Sequence, residues 1–181
     1  TLFRSIHMLF QDREGGIWVG SFFGGLNYLS ADNTLLDKYF PHRQDGSIAG
    51  NVIREILPDS SGQLWVGTED GGLCRFDPCT GEFLSESDLS WQGKAIARNV
   101  QSLMMDGDDR LWIGTFDNGI YIMDTGSKRI VAHYGSEDPS SGIPSFIVCI
   151  RKLFSGQILV GTVSGIYIYD RTAGNFSRIP G

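Results

Sequence analysis

The sequence predicts an all-β protein made of four repeated four-stranded antiparallel units, and three observations support this fold class. Trp18, Trp65 and Trp112 are each separated by 47 residues, and Leu159 occupies the next step. Short apolar, β-branched runs alternate with turns rich in glycine and aspartate, which is typical of antiparallel strands. Glycine makes up 24 of the 181 residues, about 13%, where roughly 7% is usual. The chain therefore contains many tight turns at regular intervals.

Residues 47 positions apart share the same chemical type, which is glycine, hydroxyl, acidic or apolar, and we call each such set a column. Such self-similarity indicates stacked supersecondary units. The columns are Gly20, Gly67, Gly114, Gly161; Ser21, Thr68, Thr115, Thr162; Asp12, Asp59, Asp106; Ile6, Ile53, Val100, Ile147; Leu9, Ile56, Leu103, Ile150; and Val19, Val66, Ile113, Val160. The predicted units span approximately residues 3–40, 50–86, 97–134 and 145–179.

One copy of the repeat contains four short strand patterns. In the second copy they are Ile53–Leu57, Leu64–Thr68, Leu73–Phe76 and a weaker segment around Phe83, separated by Asp- and Gly-rich turns. Four strands in a period of 40–50 residues are the signature of β-propeller blades. The fourth copy departs from the pattern, because Leu153 replaces the aspartate. We expect four blades that form a segment of a larger propeller.

Composition excludes several classes of protein. The net charge is −6 and there are 15 Lys and Arg residues, so a nucleic-acid partner is not expected. An apolar share of 41% argues against disorder, and three cysteines cannot form a dense disulfide framework. Whether Cys74 and Cys79 are bonded is open. The first residues contain no basic leader pattern, and the uncharged stretch Leu153–Tyr169 fits two strands and a turn better than a membrane span.

Three copies resemble a known family. The segments Asp12–Ser21, Asp59–Thr68 and Asp106–Thr115, each followed by a Gly-Gly-Leu or Asn-Gly-Ile turn, are similar to two-component regulator propeller repeats. The lead-in Asp45–Ile53 is also similar to that of the family. The resemblance covers nearly the whole chain and is weak in the fourth copy.

This resemblance implies a sensory function. Proteins with these repeats are typically sensor histidine kinases of gut Bacteroidetes, often hybrid ones, whose periplasmic propellers sense carbohydrate breakdown products. Their propellers are usually larger and are followed by a membrane span and a kinase core. The chain would then be a piece of the periplasmic sensory region of a membrane-anchored parent, without catalytic residues of its own. An oligosaccharide or related small ligand is the implied partner.

Residue patterns indicate no metal, cofactor or catalytic centre. His7, His42 and His133 lack a ligand spacing. The segment Asp106–Asp109 lacks the length and closing glutamate of a calcium loop. No nucleophile elbow or phosphate-binding loop is present. We therefore expect no cofactor.

Ligand binding is expected at the turns after the second strand of each copy and at the long connectors 41–51, 86–99 and 135–145. Carbohydrates need aromatic platforms and hydrogen-bonding side chains. The aromatic candidates are Phe22, Phe23, Trp91 and Phe116. The polar candidates are His42, Arg43, Glu69, Asp70, Lys94, Arg98, Asp117 and Asn118.

Two alternative functions remain at this stage. A closed four-bladed ring could act as a protein-binding scaffold. A carbohydrate-active enzyme would need paired carboxylates, for which Glu69, Asp70 and Asp117 occupy suitable turns, although local backbone bonding is the more usual role of such residues. Because blades pack face to face, we also expect neighbouring blades of the parent chain or a second copy to cover the end faces.

Overall fold

The computed structural model describes residues 5–32, 35–42, 46–107 and 109–180. The chain divides into two compact units, Thr1–Ser87 and Asp88–Gly181, called unit 1 and unit 2 below. Each unit contains two four-stranded antiparallel sheets. No helix in the described ranges is long and apolar enough to cross a membrane.

Unit 1 consists of two meanders in which each strand pairs with the next along the chain. The first sheet contains β1 (Ile6–Gln11), β2 (Ile17–Ser21), β3 (Leu26–Leu29) and β4 (Leu36–Tyr39). The second sheet contains β5 (Ile53–Pro58), β6 (Leu64–Thr68), β7 (Gly72–Asp77) and β8 (Glu82–Ser85).

Unit 2 begins with a small hairpin and continues with two further meanders. The hairpin is formed by β9 (Ser90–Trp91) and β10 (Lys94–Ala95). The meanders contain β11 (Val100–Asp106), β12 (Arg110–Thr115), β13 (Ile120–Asp124) and β14 (Arg129–Tyr134), then β15 (Ile147–Lys152), β16 (Ile158–Thr162), β17 (Gly165–Asp170) and β18 (Asn175–Arg178). One turn of 3-10 helix, Pro139–Ser141, lies between them. The predicted all-β class with four-stranded antiparallel sheets is confirmed.

The repeat columns explain how the two sheets of each unit pack closely. In unit 1, a Cβ added to Gly20 would lie 2.7 Å from Cγ2 of Ile53 in the next sheet. In unit 2, a Cβ on Gly114 would lie 2.7 Å from Cγ2 of Ile147. Such distances are far below van der Waals contact, so any side chain at these positions would push the sheets apart. The glycine column therefore reflects sheet-to-sheet packing.

The core of each unit is an aromatic and aliphatic layer between its two sheets. Trp18 is 4% exposed in unit 1, and Trp112 is 2% exposed in unit 2. Each tryptophan packs on aromatic residues from both sheets of its unit. The repeat tryptophans at these two positions are thus packing residues.

The first strand of each four-stranded sheet contains a bulge at the same repeat position. The pairing register shifts between Ile6 and Met8 in β1, and equivalent shifts occur in β5, β11 and β15. A bulge re-aims the extra residue's side chain. In unit 1 the extra residues are His7 and Arg54, which contact each other, with Nη1 of Arg54 3.4 Å from Nδ1 of His7.

Candidate functional site

The turns after the second strands and the connectors between sheets lie at the same end of the sheets in each unit, because the antiparallel strands reverse direction at every turn. A side-chain hydroxyl closes each of these turns. Thr68 Oγ1 donates to the carbonyl of Gly72 at 2.9 Å, and Thr115 Oγ1 donates to that of Gly119 at 2.8 Å. Ser21 and Thr162 make the equivalent bonds. The hydroxyl column of the repeat is therefore a turn-closing element.

A backbone hydrogen bond joins each first-sheet turn to the connector that leads into the second sheet. In unit 1, Gly25 N donates to the carbonyl of Asn51 at 3.2 Å. In unit 2, Gly119 N donates to the carbonyl of Ser145 at 2.8 Å. These bonds place the connectors next to the turns, so the two predicted site regions adjoin within each unit.

Unit 1 presents an aromatic pair at this end. The rings of Phe22 and Phe23 lie 4.5 Å apart in an edge-to-face arrangement, and His7 lies 5.4 Å from Phe22. Phe23 is 54% exposed and adopts a φ of 54°. A bulky residue in this backbone region is a genuine outlier, and such strain is concentrated at functional sites. We call Phe22, Phe23 and His7 the aromatic platform.

Polar side chains adjoin the aromatic platform through His7. Arg54 contacts His7 through its Nη1, and its Nε lies 3.7 Å from Oε2 of Glu69. Both partners are about one-third exposed, so this ion pair is partly open to solvent. Glu69 is a residue predicted from the sequence, whereas His7 and Arg54 are not, because bulge positions are not visible in an alternating pattern. The arrangement offers a ligand aromatic faces, a guanidinium and a carboxylate.

Asp70 holds the connector of unit 1 in place. Its Oδ1 accepts hydrogen bonds from Asn51 N at 2.9 Å and Val52 N at 3.1 Å. Asn51 Nδ2 in turn donates to the carbonyl of Phe23 at 3.4 Å. Oδ1 of Asn51 is buried and accepts no hydrogen bond in the described part of the chain. Asp70 therefore supports the strained backbone at Phe23 through Asn51.

The remaining candidates in unit 1 lie in its connector. His42 is exposed, and its backbone amide and carbonyl are hydrogen-bonded to Ser47 Oγ. Arg43 lies outside the described residues.

Unit 2 has a second aromatic pair at the equivalent end. Phe116 lies 4.2 Å from Phe146 and is 42% exposed. Asn118 Nδ2 donates to Oδ1 of the neighbouring Asp117 at 2.7 Å, and the Asn118 carbonyl lies 2.6 Å from Nε2 of His133. Three predicted residues, Phe116, Asp117 and Asn118, therefore lie together here with His133, which was not predicted as a site residue.

His133 lies against Tyr121 in unit 2, with the two rings stacked 4.4 Å apart. Burial raises the pKa of the Tyr121 phenol, and the charges of Glu137 and Asp117 raise it further. The stacking fixes the His133 ring beside the Asn118 turn.

The hairpin of unit 2 contains two further candidates. Trp91 and Lys94 are paired across β9 and β10, and Gln92 in the turn has a φ of 50°. Trp91 is partly buried, whereas Lys94 and Arg98 are exposed. Trp91, which does not belong to the 47-residue tryptophan series, thus lies in the β9–β10 hairpin and not in a four-stranded sheet.

Metal and thiol chemistry find no support in the described ranges. No group of three or more His, Cys, Asp or Glu side chains there is arranged to hold a metal ion. Cys74, Cys79 and Cys149 are free thiols. Burial raises the pKa of Cys74 to about 12, and a protonated thiol is a poor nucleophile.

The geometry agrees with a known class of repeat. Residues 2–23, 47–70 and 96–117 match the family model described as two component regulator propeller. This match confirms the resemblance to two-component regulator propeller repeats that the sequence predicts. A comparison with curated proteins finds no match.

Solved structures share the fold of the chain. Two extracellular domains of putative hybrid two component systems from B. thetaiotaomicron are similar, with TM-scores of 0.82 and 0.80 at 22% and 21% identity. The matches cover 97% and 95% of this chain but 25% and 23% of theirs. A catalytically inactive virginiamycin B lyase from Staphylococcus aureus is also similar, with a TM-score of 0.69, 16% identity, and coverage of 97% of this chain and 56% of the lyase. The four sheets are β-propeller blades, as predicted, and the chain spans about a quarter of the length of the first two structures.

Proposed function

We propose that this chain is a ligand-sensing part of the periplasmic region of a hybrid two-component sensor histidine kinase. The match of three segments to two-component regulator propeller repeats carries this proposal. The likeness in fold to extracellular domains of putative hybrid two component systems supports it. Ligand binding would change the arrangement of the sensory region, and that change would cross the membrane in the parent protein.

The parent gene provides the first test of this function. We expect its sequence to encode a membrane span and a histidine kinase core in the same reading frame as the propeller repeats. A complete reading frame without either would contradict the assignment.

We propose that the ligand is a neutral oligosaccharide fragment bound at the aromatic platform of unit 1. An exposed phenylalanine at a strained φ offers a flat face to the C–H groups of a sugar ring. Arg54 and Glu69, which are both partly exposed, supply hydrogen bonds to hydroxyl groups.

Calorimetry with a panel of neutral oligosaccharides tests this site. We expect Phe23→Ala to weaken binding at least tenfold, which corresponds to about 1.4 kcal/mol. Phe154→Ala is the matched control, because Phe154 is also an exposed phenylalanine and lies in unit 2. Equal affinities in wild type and Phe23→Ala would remove the platform from the site.

We also propose that further blades of the parent chain cover the outer faces of the first and last sheets. At one repeat position Leu9 is 62% exposed, whereas Ile56 is 2% exposed. At another, Ile166 is 53% exposed, whereas Leu26 is fully buried. An apolar side chain that is buried at the equivalent position of another sheet indicates, where it is exposed, a surface that a partner covers.

Light scattering distinguishes further blades from pairing of two copies. We expect the isolated 181-residue chain to self-associate through these faces and a longer chain with the adjacent blades to be monomeric. An isolated chain that is a clean monomer would contradict the need for a covering partner.

A further inference from the structure

A cleft of about 720 Å³ opens in unit 1 at the end of the sheets opposite the aromatic platform. It lies between the β1–β2 turn of the first sheet and the β5–β6 turn of the second. Its volume is within the range of small-molecule sites. The proposed sensory function does not use this cleft.

Aromatic side chains form the walls of the cleft. Trp18 lies 4.4 Å from Tyr28 and 5.1 Å from Phe76, and Tyr39 lies 6.0 Å from Trp18. Trp18 and Phe76 are buried, whereas Tyr28 and Tyr39 are half-buried. The fixed aromatic faces suit an apolar stem or a cation.

The rim of the cleft is acidic. Asp12, Glu14, Asp37 and Asp59 line it together with one cation, Arg13. Burial raises the pKa of the Tyr28 phenol, and the charges of Asp12, Glu14 and Asp37 raise it further. The carboxylates thus produce a negative field inside the cleft as well as at its mouth.

Asp12 anchors the rim to the wall. Its Oδ1 accepts a hydrogen bond from Gly16 N at 2.7 Å, and its Oδ2 accepts one from Trp18 Nε1 at 3.0 Å. The Tyr28 phenol is also hydrogen-bonded to Asp12. All of these donors are uncharged, so they do not neutralise the charge of the carboxylate.

The equivalent place in unit 2 is filled by cations of the chain itself. Asp106, which is at the repeat position of Asp12, accepts hydrogen bonds from Lys152 Nζ at 2.8 Å and from both terminal nitrogens of Arg171 at 2.8 Å. In unit 1 the residues aligned with Lys152 and Arg171 are Pro58 and Pro78, and both line the cleft. The two prolines therefore supply no cationic group at the positions from which Lys152 and Arg171 reach Asp106 in unit 2.

We propose that the unit 1 cleft binds a small organic cation, with a guanidinium or primary ammonium group on an apolar stem. The cationic group would take the place beside Asp12 that Arg171 takes beside Asp106. The stem would lie along Tyr28 and Tyr39. Anionic ligands are disfavoured, because the rim carries four carboxylates and one guanidinium.

An NMR titration with n-butylguanidinium and its neutral counterpart n-butylurea tests the proposal, with the tryptophan indole N–H signals as the readout. We expect n-butylguanidinium to shift the Trp18 signal saturably and to leave the Trp112 signal unchanged. We expect n-butylurea to bind at least tenfold more weakly. Equal binding of the two compounds, or no binding of n-butylguanidinium, would overturn the proposal.

Two variants and a control locate the binding. Glu14→Gln with Asp37→Asn should weaken binding severalfold by reducing the rim charge. Pro58→Lys with Pro78→Arg should abolish it by supplying the cations of unit 2. The control is Glu137→Gln with Asp88→Asn, which removes two exposed charges of unit 2. A control that weakens binding as much as the rim variant would show a nonspecific charge effect and overturn the proposal.

A third probe distinguishes a free ligand from an arginine of a protein partner. We expect N-acetyl-arginine methylamide to bind no more tightly than n-butylguanidinium, because the cleft is sized for a small cation. Tighter binding of the blocked arginine would assign the cleft to a polypeptide side chain and overturn the small-ligand assignment.

Discussion

Units 1 and 2 contain the same aromatic layer, but they differ in how polar groups complete it. Tyr39 and Phe76 of unit 1 occupy the repeat positions of Tyr134 and Tyr169 in unit 2. In unit 2 the two phenol oxygens are 3.0 Å apart and hydrogen-bonded. In unit 1 the phenylalanine has no hydroxyl, so the contact is a ring contact at 5.4 Å. The packing is kept while the polar link is lost.

The rims of the two layers differ more strongly. Asp106 of unit 2 is bound by Lys152 and Arg171 from the neighbouring sheet. Asp12 of unit 1 is bound by a backbone amide, an indole N–H and the Tyr28 phenol, all of its own sheet. The repeat therefore specifies the core packing closely but not the rim. The rim aspartate is paired with cations of the chain in unit 2 and with neutral donors in unit 1.

The largest expected effect concerns the buried tryptophan of the aromatic layer, which both units contain. Trp18→Ala and Trp112→Ala should each lower the free energy of unfolding by about 3–5 kcal/mol, because each removes a buried aromatic side chain and leaves a cavity. Urea unfolding measures the loss. Amide hydrogen exchange should show it mainly in the unit that contains the substitution.

Phe154→Ala is the control for the tryptophan variants. Phe154 is fully exposed, so its truncation should change stability by less than about 0.5 kcal/mol. A tryptophan variant with a similarly small effect would show that its layer is not a core.

The next effect is the pH dependence of the stability that the Asp106 ion pairs give to unit 2. Hydrogen bonding from Arg171 and Lys152 lowers the pKa of Asp106 against the opposing effect of burial. Because the folded-state pKa lies below the unfolded one, the added stability is fully present above about pH 4 and is lost as pH falls through the folded-state pKa. Arg171 is half exposed, so solvent screens the pair and we expect about 1 kcal/mol.

Unfolding of wild type and Asp106→Asn between pH 7 and pH 2 measures this contribution. The difference in stability should be present at pH 7 and should shrink toward zero at the acidic end. Arg171→Met should remove most of the same difference, and a gap that is independent of pH would contradict an ionic role.

The smallest effect concerns the hydroxyl pair. Burial raises the pKa of Tyr134, and the hydrogen bond with Tyr169 raises it further. Tyr134→Phe should cost about 0.5 kcal/mol, the lower end of the usual net value of a hydrogen bond, because the pair is only partly buried. Tyr39→Phe in unit 1 is the matched change and should cost less. Equal costs measured by thermal unfolding would show that the pair adds nothing specific.

The fold was predictable because its determinants recur. Gly20 and Gly114 meet an isoleucine of the next sheet at the same distance, and Ser21 and Thr115 close the same turn. A physical requirement repeated at a fixed interval is visible in a single sequence. The hairpin of Trp91 and Lys94 was missed because two-residue strands occur once and leave no periodic pattern.

The candidate site was less predictable, because it depends on departures from the repeat. Phe22, Phe23 and Glu69 were selected from their turns, but the bulge that directs His7 and Arg54 toward them follows from strand pairing. The cleft depends on Pro58 and Pro78, which take part in no recognisable motif. Their effect on the cleft becomes clear only when they are aligned with Lys152 and Arg171 in the structure of unit 2.

The central claim is that the repeat position of Asp106 and Asp12 forms ion pairs in unit 2 but only neutral hydrogen bonds in unit 1. The most direct test is the salt dependence of the stability of two matched variants. The measurement is the loss of unfolding free energy in Asp106→Asn and in Asp12→Asn, at about 0.01 M and about 1 M NaCl, where the Debye length falls from roughly 30 Å to 3 Å. We expect the loss in Asp106→Asn to fall by at least about half in high salt and the loss in Asp12→Asn to change little. Equal salt responses of the two variants would contradict the account.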